Sequence, residues 1–306
     1  MIADPLPSWN QGKAKQAILD FVARVAHGDS PDFVPVPERI AVFDNDGTLW
    51  CEFPMQTQVF FAFAQLTSMV ENDPALKEKE PYKAFLAHDT AKLPELGKQA
   101  VFEFAFATHA GMTAGDFDKH ARTWFETARN PKLDRRFVKC TYKPQTELLS
   151  FLRENGFKTF IVSAGGADLI RAFAELAYGI PPEQVVGSSL KTKFEADGER
   201  VSLRKLSEPN SFDDRGEKVV NIGLHIGRRP IFAFGNSDGD LAMLRYAKAG
   251  EGPRLALLLH HDDAEREFAY DRDFKLSPFS EALDKAGDYG IELVSMKRDW
   301  NEVFVP

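Results

Sequence analysis

The sequence predicts an α/β fold, with a Rossmann-like, three-layer arrangement in which helices cover both faces of a parallel sheet. Short apolar runs such as 40–43 and 254–261 alternate with longer amphipathic patterns, as in strands buried between helices. Between 53 and 140 the patterned segments favour helix, which predicts an inserted α-helical domain. Alternating residues on either side of Asp197-Gly198 predict a small β-hairpin insert.

The first part of the chain predicts one helix, one strand and then the helical insertion. Apolar residues recur at helical spacing over 11–26, and a proline-rich approach leads into the apolar run Ile40–Phe43. We therefore predict a core domain formed by 1–52 and 141–306, with 53–140 as a helical cap. The helical patterns of the cap lie over 60–70, 81–89, 96–110 and 114–130.

After the insertion, strands and helices alternate again. The predicted helix over 143–156 ends at Gly156, a residue that suits a left-handed helix end. The predicted order then continues with a strand over 157–166, a helix over 167–179, a strand over 183–190, the hairpin over 191–206, a helix over 216–227, a strand and loop over 229–240, a helix over 240–247 and a strand over 254–261.

The bulk composition excludes several classes of partner. The chain has 306 residues, a net charge of −8 and no dense basic run, so we expect neither a nucleic-acid nor a membrane partner. No apolar run reaches the length of a membrane span. The two cysteines, Cys51 and Cys140, predict free thiols. Because the N-terminus lacks the pattern of a signal peptide, we expect a cytoplasmic protein, or a periplasmic one if this is a signal-trimmed mature form. The oligomeric state is left open.

Polar clusters follow three of the predicted strands. They are Asp44-Asn45-Asp46, Ser163-Ala164-Gly165-Gly166 and the stretch Asn236–Asp240. Because ligands bind beyond the carboxyl ends of the strands in parallel sheets, we expect these clusters to meet at one edge.

The residue types in these clusters suit phosphate chemistry. Asp44 and Asp46 are two residues apart, so an extended chain points both carboxylates to one side, where a cation relieves their repulsion. An oxygen-rich set without histidine favours Mg²⁺. Ser163 with free N–H groups at Ala164 and Gly165 is typical of an anion cradle. Taken singly, each cluster is also consistent with a turn or a helix cap, and a lone Lys218 with a solvated surface lysine.

The ordered set resembles the haloacid dehalogenase superfamily of phosphohydrolases over roughly 39–260. The helical insertion directly after the first cluster resembles the phosphoserine-phosphatase-like branch, as does "GNSDGDLAML". The resemblance implies that Asp44 is the nucleophile that becomes an aspartyl-phosphate and that Asp46 is the general acid and base. It also implies that Ser163 binds phosphate and that Lys218 steadies the nucleophile.

The resemblance further implies a Mg²⁺ site formed by Asp44, the backbone carbonyl of Asp46, Asn236 and Asp240. Asn236 stands where the family usually has an aspartate, and Asp238 is an extra carboxylate that offers an alternative ligand. Phosphoserine phosphatases carry a glutamate at the position of Phe53, so a substrate other than phosphoserine is expected.

Six residues are predicted to contact the substrate. Trp50 and Phe53, with Glu52, form a candidate site for a cationic or apolar leaving group; the alternative is that the aromatic rings pack at the hinge of the cap. Four arginines of the cap are candidates to bind a second anionic group of the substrate, and the alternative is that they are exposed side chains on helix surfaces. They are Arg122, Arg129, Arg135 and Arg136. The full set of predicted substrate contacts is Thr48, Trp50, Glu52, Phe53, Ala164 and Gly165.

The predicted function is Mg²⁺-dependent hydrolysis of a phosphomonoester, with a small phosphorylated metabolite as substrate. The alternatives are a phosphotransferase or a dehalogenase of the same fold, or a non-catalytic phosphate-binding protein, which only Asn236 suggests. Asp46 favours the phosphatase over the dehalogenase, because halide leaves without a proton whereas an alkoxide gains from an acid.

Overall fold

A computed structural model of the chain describes residues 4–79, 82–86 and 93–306. The helices are Lys13–Ala26 (α1), Thr57–Asn72 (α2), Tyr82–Leu86 (α3), Leu93–Ala107 (α4), Ala114–Thr127 (α5), Lys143–Glu154 (α6), Ala167–Arg171 (α7), Ala174–Tyr178 (α8), Gly216–Asn221 (α9), Leu241–Lys248 (α10), Glu281–Lys285 (α11) and Met296–Asp299 (α12). The strands are Ile40–Phe43 (β1), Arg129–Asn130 (β2), Arg135–Arg136 (β3), Lys158–Gly166 (β4), Val185–Asp197 (β5), Arg200–Ser211 (β6), Phe232–Gly235 (β7), Leu255–Asp262 (β8), Ala269–Tyr270 (β9) and Glu292–Ser295 (β10).

One eight-stranded sheet organises the core. Its strand order is β10-β8-β7-β1-β4-β5-β6, with β9 paired to β8. The neighbours from β10 to β5 are parallel, and only the β5–β6 and β8–β9 pairs are antiparallel. β1 lies between β7 and β4, so the ends of these three strands meet at the centre of one edge.

The two faces of the sheet bury different helices, because side chains alternate along each strand. Ala41 and Phe43 pack in one apolar cluster with residues of α1 and α6, whereas Ile40 and Val42 pack in a second cluster with residues of α10. This confirms the predicted three-layer α/β fold with a mostly parallel sheet.

The segment 53–140 contains helices α2 to α5, as its patterning predicts, and also the short antiparallel ribbon β2–β3. The predicted helix over 81–89 is seen as α3, and the rest of that segment lies outside the described residues, as do residues 1–3. The domain boundaries at 52/53 and 140/141 stay predictions.

Several predicted elements differ from the observed ones in extent. The strand at 183–190 and the first arm of the hairpin form one strand, β5, which pairs with β4 at its start and with β6 along its length. The helix over 167–179 is divided into α7 and α8, and the helix over 216–227 continues beyond α9 as the π-helical turn Ile222–Ile226. No element is predicted beyond 261, where β10 forms an edge of the sheet.

None of the helices in the described ranges is both long and apolar enough to cross a membrane.

Candidate active site

The three predicted clusters meet at one small cavity at the carboxyl edge of the sheet. The cavity has a volume of about 20 Å³, which is room for roughly one water molecule. Its walls are formed by core residues and by residues of α4 and its neighbourhood: Asp44, Asp46, Gln56, Lys98, Phe102, Ser163, Ala164, Gly165, Asp214, Lys218, Ser237, Asp240 and Ser277.

Lys218 is the central cation of the cavity. Its ammonium group donates to Asp44 Oδ1 at 2.7 Å, to Asp240 Oδ1 at 2.6 Å and to the Val162 carbonyl at 2.9 Å. Only 1% of the residue is exposed. Burial opposes its charge, but Asp240 and Asp44 more than offset that cost, so the pKa of Lys218 lies above its ordinary value. Lys218 is therefore a permanent positive charge fixed against the predicted nucleophile.

The two carboxylates after β1 lie in a site with excess negative charge. Burial, together with the nearby Asp240, raises the pKa of Asp44 to about 8, although Lys218 opposes the shift. Burial also raises the pKa of Asp46. Four aspartates and two lysines line the cavity. A further cation is therefore needed to hold both groups ionised.

Asp240 fixes the loop after β7. Its Oδ2 atom accepts the backbone N–H of Asn236 at 2.9 Å and of Ser237 at 3.0 Å, while Oδ1 binds Lys218. These contacts engage both carboxylate oxygens of Asp240. Its predicted role as a direct metal ligand competes with these bonds, so we assign it to the positioning of Lys218 and of the loop.

Asn236 and Asp238 point in different directions. Asn236 Oδ1 accepts the hydroxyl of Thr48 at 2.9 Å, and its Nδ2 donates to Glu52 Oε1 at 2.8 Å. Asp238 Oδ1 instead accepts the N–H groups of Ser280 and Ala282, at the start of α11. One oxygen of Asp238 is therefore engaged at that helix, and its role as an alternative metal ligand stays a prediction.

The donor chemistry near Asp44 fits Mg²⁺. No group of three or more His, Cys, Asp or Glu side chains in the described part of the chain is arranged as a metal site. However, Mg²⁺ in proteins is bound by one or two carboxylates, with water and substrate oxygens as the other ligands. The donors that the resemblance implies are an Asp44 oxygen, the Asp46 carbonyl and the Asn236 amide oxygen. Asp44 and Asp46 line the cavity, whereas Asn236 does not, and its amide oxygen accepts the Thr48 hydroxyl.

The carboxyl-terminal part of β4 brings Ser163 to the same cavity. Its hydroxyl accepts the N–H of Gly165 at 3.1 Å, and Ser163 is buried. A Cβ at Gly165 would lie 3.3 Å from Asp46 Oδ2 and 3.4 Å from the Ser163 oxygen, so this glycine allows the two loops to approach. The next N–H of the cradle, that of Gly166, donates at 2.6 Å to Gln58 Oε1 of α2.

Four of the predicted substrate contacts lie outside the cavity wall. Trp50 is 1% exposed and stacks on Phe173 with ring centroids 4.2 Å apart. Its indole N–H donates to Asp46 Oδ1 at 2.8 Å, which orients the predicted acid. This burial argues against direct contact of Trp50 with a substrate and assigns it a positioning role.

The other three are also engaged by the protein. Thr48 and Glu52 are fully buried and bind Asn236. Phe53 packs against Phe268 and Tyr270, in a separate surface groove. The packing alternative given above therefore describes Phe53 better than a leaving-group site does.

The four cap arginines form contacts with other parts of the protein, away from the cavity. Arg122 and Arg129 pair with Asp118 and Asp134 on the surface, and Arg135 and Arg136 donate to backbone carbonyls. None of the four lines the catalytic cavity.

The structure adds residues that sequence patterns did not indicate. Lys98 of α4 reaches the cavity and pairs with Asp214 at 2.8 Å. One turn further along, Phe102 meets Phe212 with ring centroids 5.1 Å apart. Lys98 has no distinguishing neighbours in the sequence, so only the packing of α4 over the strand ends reveals it.

The fold and site together define a Rossmann-like protein with a carboxylate-rich cavity at the carboxyl edge of its sheet, covered by an inserted helix. The sequence model of the haloacid dehalogenase-like hydrolases matches residues 41–245, and the chain belongs to this family. The predicted resemblance to this superfamily is confirmed.

Two solved structures with TM-scores above 0.5 show the same fold at low identity. A conserved functionally unknown protein from Anaerococcus prevotii DSM 20548 is 18% identical, with a TM-score of 0.54 over 87% of this chain and 94% of that chain. A protein of unknown function from Bordetella pertussis Tohama I is 15% identical, with a TM-score of 0.51 over 84% and 98%. A phosphoserine phosphohydrolase-like protein from Francisella tularensis subsp. tularensis SCHU S4 is 16% identical, with a TM-score of 0.42 over 82% and 98%. Among curated proteins, no match is found.

Proposed function

We propose that this protein is a Mg²⁺-dependent phosphomonoester hydrolase that acts on a small phosphorylated metabolite through an aspartyl-phosphate on Asp44. The observation that carries the proposal is the buried contact of Lys218 with both Asp44 and Asp240, beside Asp46 in one cavity. A buried carboxylate held against a fixed ammonium group suits a nucleophile that attacks an anionic phosphoryl group.

In the first half-reaction, an Asp44 oxygen forms a bond to phosphorus while the bond from phosphorus to the leaving oxygen breaks. Asp46 gives its proton to the leaving oxygen, a role that suits a carboxyl whose pKa is raised by burial. Ser163 and Lys218 contact the phosphoryl oxygens. When bound, Mg²⁺ neutralises negative charge on Asp44 and the phosphoryl group.

In the second half-reaction, Asp46 accepts a proton from a water molecule as that water forms a bond to phosphorus. The bond between phosphorus and Asp44 breaks, inorganic phosphate leaves, and Asp44 returns as a carboxylate. The hydrogen bond from Trp50 keeps Asp46 directed at the cavity in both steps.

The closed cavity supports a small substrate. Lys98 and Phe102 of α4 cover the site, and the remaining volume is smaller than a phosphate group. Substrate entry therefore requires displacement of α4 from this position. Lys98 then offers a second positive charge to the phosphate from the wall opposite Lys218.

The test is hydrolysis of p-nitrophenyl phosphate by the purified protein, with Mg²⁺ and with excess chelator. We expect turnover with Mg²⁺, release of inorganic phosphate in water without an added acceptor, and loss of turnover in Asp44→Asn. Asp213→Asn is the matched control, because Asp213 is fully buried but does not line the cavity. Phosphate release only after an acceptor alcohol is added would instead favour the phosphotransferase.

Absence of turnover with Mg²⁺ for every phosphomonoester in a screen of amino acids, amino alcohols, sugars and nucleotides would contradict the proposal. Saturable phosphate binding in that case would favour the non-catalytic alternative.

A further inference from the structure

The two cysteines of the chain are neighbours in the fold, although the whole helical segment 53–140 separates them in the sequence. Cys51 lies just before this segment and Cys140 at its end, and the chain has no other cysteine. The backbone N–H of Cys51 donates to the Cys140 carbonyl at 3.0 Å. Both residues are buried, with 2% and 1% of their surface exposed, and both thiols are free.

This contact belongs to a short antiparallel pairing, where the chain enters and leaves the helical segment. Trp50 and Thr141 form an antiparallel bridge, and on its other side the N–H of Tyr142 donates to the Leu49 carbonyl at 2.9 Å. In this pattern the residue after Trp50 stands opposite the residue before Thr141. The two cysteines are therefore cross-strand partners, a relation in which side chains are near neighbours.

We propose that Cys51 and Cys140 form an intramolecular disulfide under oxidising conditions, which ties together the two ends of the segment 53–140. With ordinary bond lengths, the hydrogen bond between their backbones limits the distance between the two Cα atoms to about 7 Å. Disulfides join Cα atoms that are about 4.4–6.8 Å apart. The backbone therefore already has a suitable separation. This inference does not depend on the proposed function.

The present contacts of the two thiols are weak. The Cys51 thiol donates to the Phe53 carbonyl at 3.5 Å, and that carbonyl has a second donor in Asn130 Nδ2 at 3.2 Å. The Cys140 thiol donates to the Arg136 carbonyl at 3.5 Å. Because a thiol is a weak donor, little is lost when the sulfur atoms turn from these carbonyls to each other.

Burial determines when the bond forms. Burial raises the pKa of Cys51, and it raises the pKa of Cys140 to about 12, so the folded protein presents little of the reactive thiolate. We therefore expect slow oxidation of the folded protein and faster oxidation while the chain folds. The same burial then limits the access of reductants to the disulfide.

The reaction balances with a small disulfide, such as oxidised glutathione, as the oxidant. One cysteine thiolate attacks a glutathione sulfur, which forms a mixed disulfide and releases one glutathione. The second cysteine thiolate attacks the cysteine sulfur of the mixed disulfide, which forms the protein disulfide and releases the second glutathione. The two cysteine protons end on the two released glutathione thiols, and the electron pair lost by the cysteines reduces the glutathione disulfide.

The test is the equilibrium of the full chain with reduced and oxidised glutathione, in native buffer and in urea. Samples reach equilibrium from both the reduced and the oxidised unfolded chain, free thiols are then alkylated, and the intact mass counts them. A fold that brings the two sulfur atoms together favours the bond. The equilibrium constant for its formation should be at least about thirtyfold larger in native buffer than in urea, the ratio that corresponds to the low end of ordinary disulfide stabilisation.

An equilibrium constant that is no larger in native buffer than in urea overturns the proposal, because the fold then does not favour the bond. Disulfides that join two chains, seen as dimers on a gel without reductant, also overturn it. If the chain does not refold with glutathione, protein oxidised slowly in the folded state provides the measurement. A higher urea midpoint for the oxidised than for the reduced protein then supports the proposal, and an equal or lower one overturns it.

The matched control combines Cys140→Ser with Thr141→Cys. It moves one thiol by a single residue, so that the thiol stands opposite Trp50 instead of Cys51. The loop between the thiols is almost unchanged, so the equilibrium constant in urea should equal that of wild type. The ratio between native buffer and urea should be lower than that of wild type by about tenfold or more. An equal ratio in this control overturns the proposal, since compactness of the chain alone would then explain the bond.

Discussion

Trp50 donates its indole N–H to Asp46 across 2.8 Å, so a buried aromatic side chain holds the proposed acid and base of the reaction. The ring itself is fixed by stacking on Phe173. We therefore expect Trp50 to influence the chemistry through the orientation and the pKa of Asp46, without contacting the substrate.

Trp50→Phe tests this relationship, because it keeps a ring on Phe173 and removes the donor. The hydrogen bond favours the ionised form of Asp46, so its loss raises the pKa of Asp46 further and lowers the fraction of carboxylate that can accept a proton in the second half-reaction. We expect kcat to fall by about tenfold for aryl and alkyl phosphates alike, with KM little changed. Steady-state kinetics with both substrate types provide the measurement.

Phe173→Leu is the control, since it alters the stack and keeps the hydrogen bond. An unchanged kcat in Trp50→Phe would show that the hydrogen bond from Trp50 to Asp46 does not contribute to catalysis. A decrease in kcat for the alkyl phosphate alone would show that the hydrogen bond acts only on protonation of the leaving oxygen.

The sequence predicts the part of the site that lies on the sheet. β1, β4 and β7 are recognisable as apolar runs, and the carboxyl ends of parallel strands share an edge. Asp44, Ser163 and the loop after β7, through Ser237 and Asp240, accordingly line one cavity. Parallel connections between the strands are enough to predict that these strand ends share an edge, and the prediction does not depend on how the side chains pack.

Contacts made by loops and by the inserted helices were not predictable in the same way. A single lysine within a helical pattern, such as Lys98, has the same local sequence whether it faces solvent or a cavity. Trp50 and Glu52 lie in an irregular loop, where spacing does not define which side chain faces the substrate. The full length of β5 and β6 was missed because the pairing shifts register near Leu190.

We expect Lys218 to have a large structural role in addition to its proposed catalytic one. Lys218→Met retains most of the side-chain volume but leaves Asp44 and Asp240 buried without their shared cation. We expect the free energy of unfolding to fall by about 3–5 kcal/mol. Urea denaturation with and without Mg²⁺ measures the effect, and Mg²⁺ should restore part of the loss.

Lys205→Met is the comparison, because Lys205 is also buried but pairs with a single, partly exposed carboxylate, that of Asp168. The decrease in the free energy of unfolding should be smaller in Lys205→Met than in Lys218→Met, and Mg²⁺ should not change it. Equal losses in the two variants would show that the shared position of Lys218 between two carboxylates adds nothing to stability.

Lys98 has two possible roles, which substitutions can distinguish: it binds the phosphate, or it holds α4 closed over the site through its ion pair with Asp214. If Lys98 contacts the phosphate and Asp214 only holds it in the empty site, Lys98→Met should raise KM by about tenfold. Asp214→Asn should then leave KM within about threefold of wild type, since the lysine stays available. Steady-state kinetics of the two variants provide the measurement.

The exposed Lys83 of α3 is the control position, and Lys83→Met should leave both kinetic constants unchanged. Equal increases of KM in Lys98→Met and Asp214→Asn would contradict phosphate binding by Lys98 and favour closure by the ion pair.

The buried imidazole of His109 should make the folded protein less stable on mild acidification, independently of the proposed catalytic site. Burial, with the nearby positive charge of Lys205, lowers its pKa to about 3, against 6.5 for the ordinary side chain. Between pH 6.5 and pH 3 the unfolded chain therefore binds a proton that the folded protein does not, and stability falls as the pH falls. At pH 5 this amounts to about 2 kcal/mol.

The measurement is the free energy of unfolding in urea at pH 7 and pH 5, for wild type and for His109→Asn. The substitution removes the titrating group, so the difference between the two pH values should shrink by about 2 kcal/mol whatever its effect at pH 7. His120→Asn, at an exposed position of α5, should retain the full wild-type difference. If His109→Asn loses as much stability as wild type on acidification, the buried imidazole accepts its proton within the folded protein, and the site must open to water near pH 5.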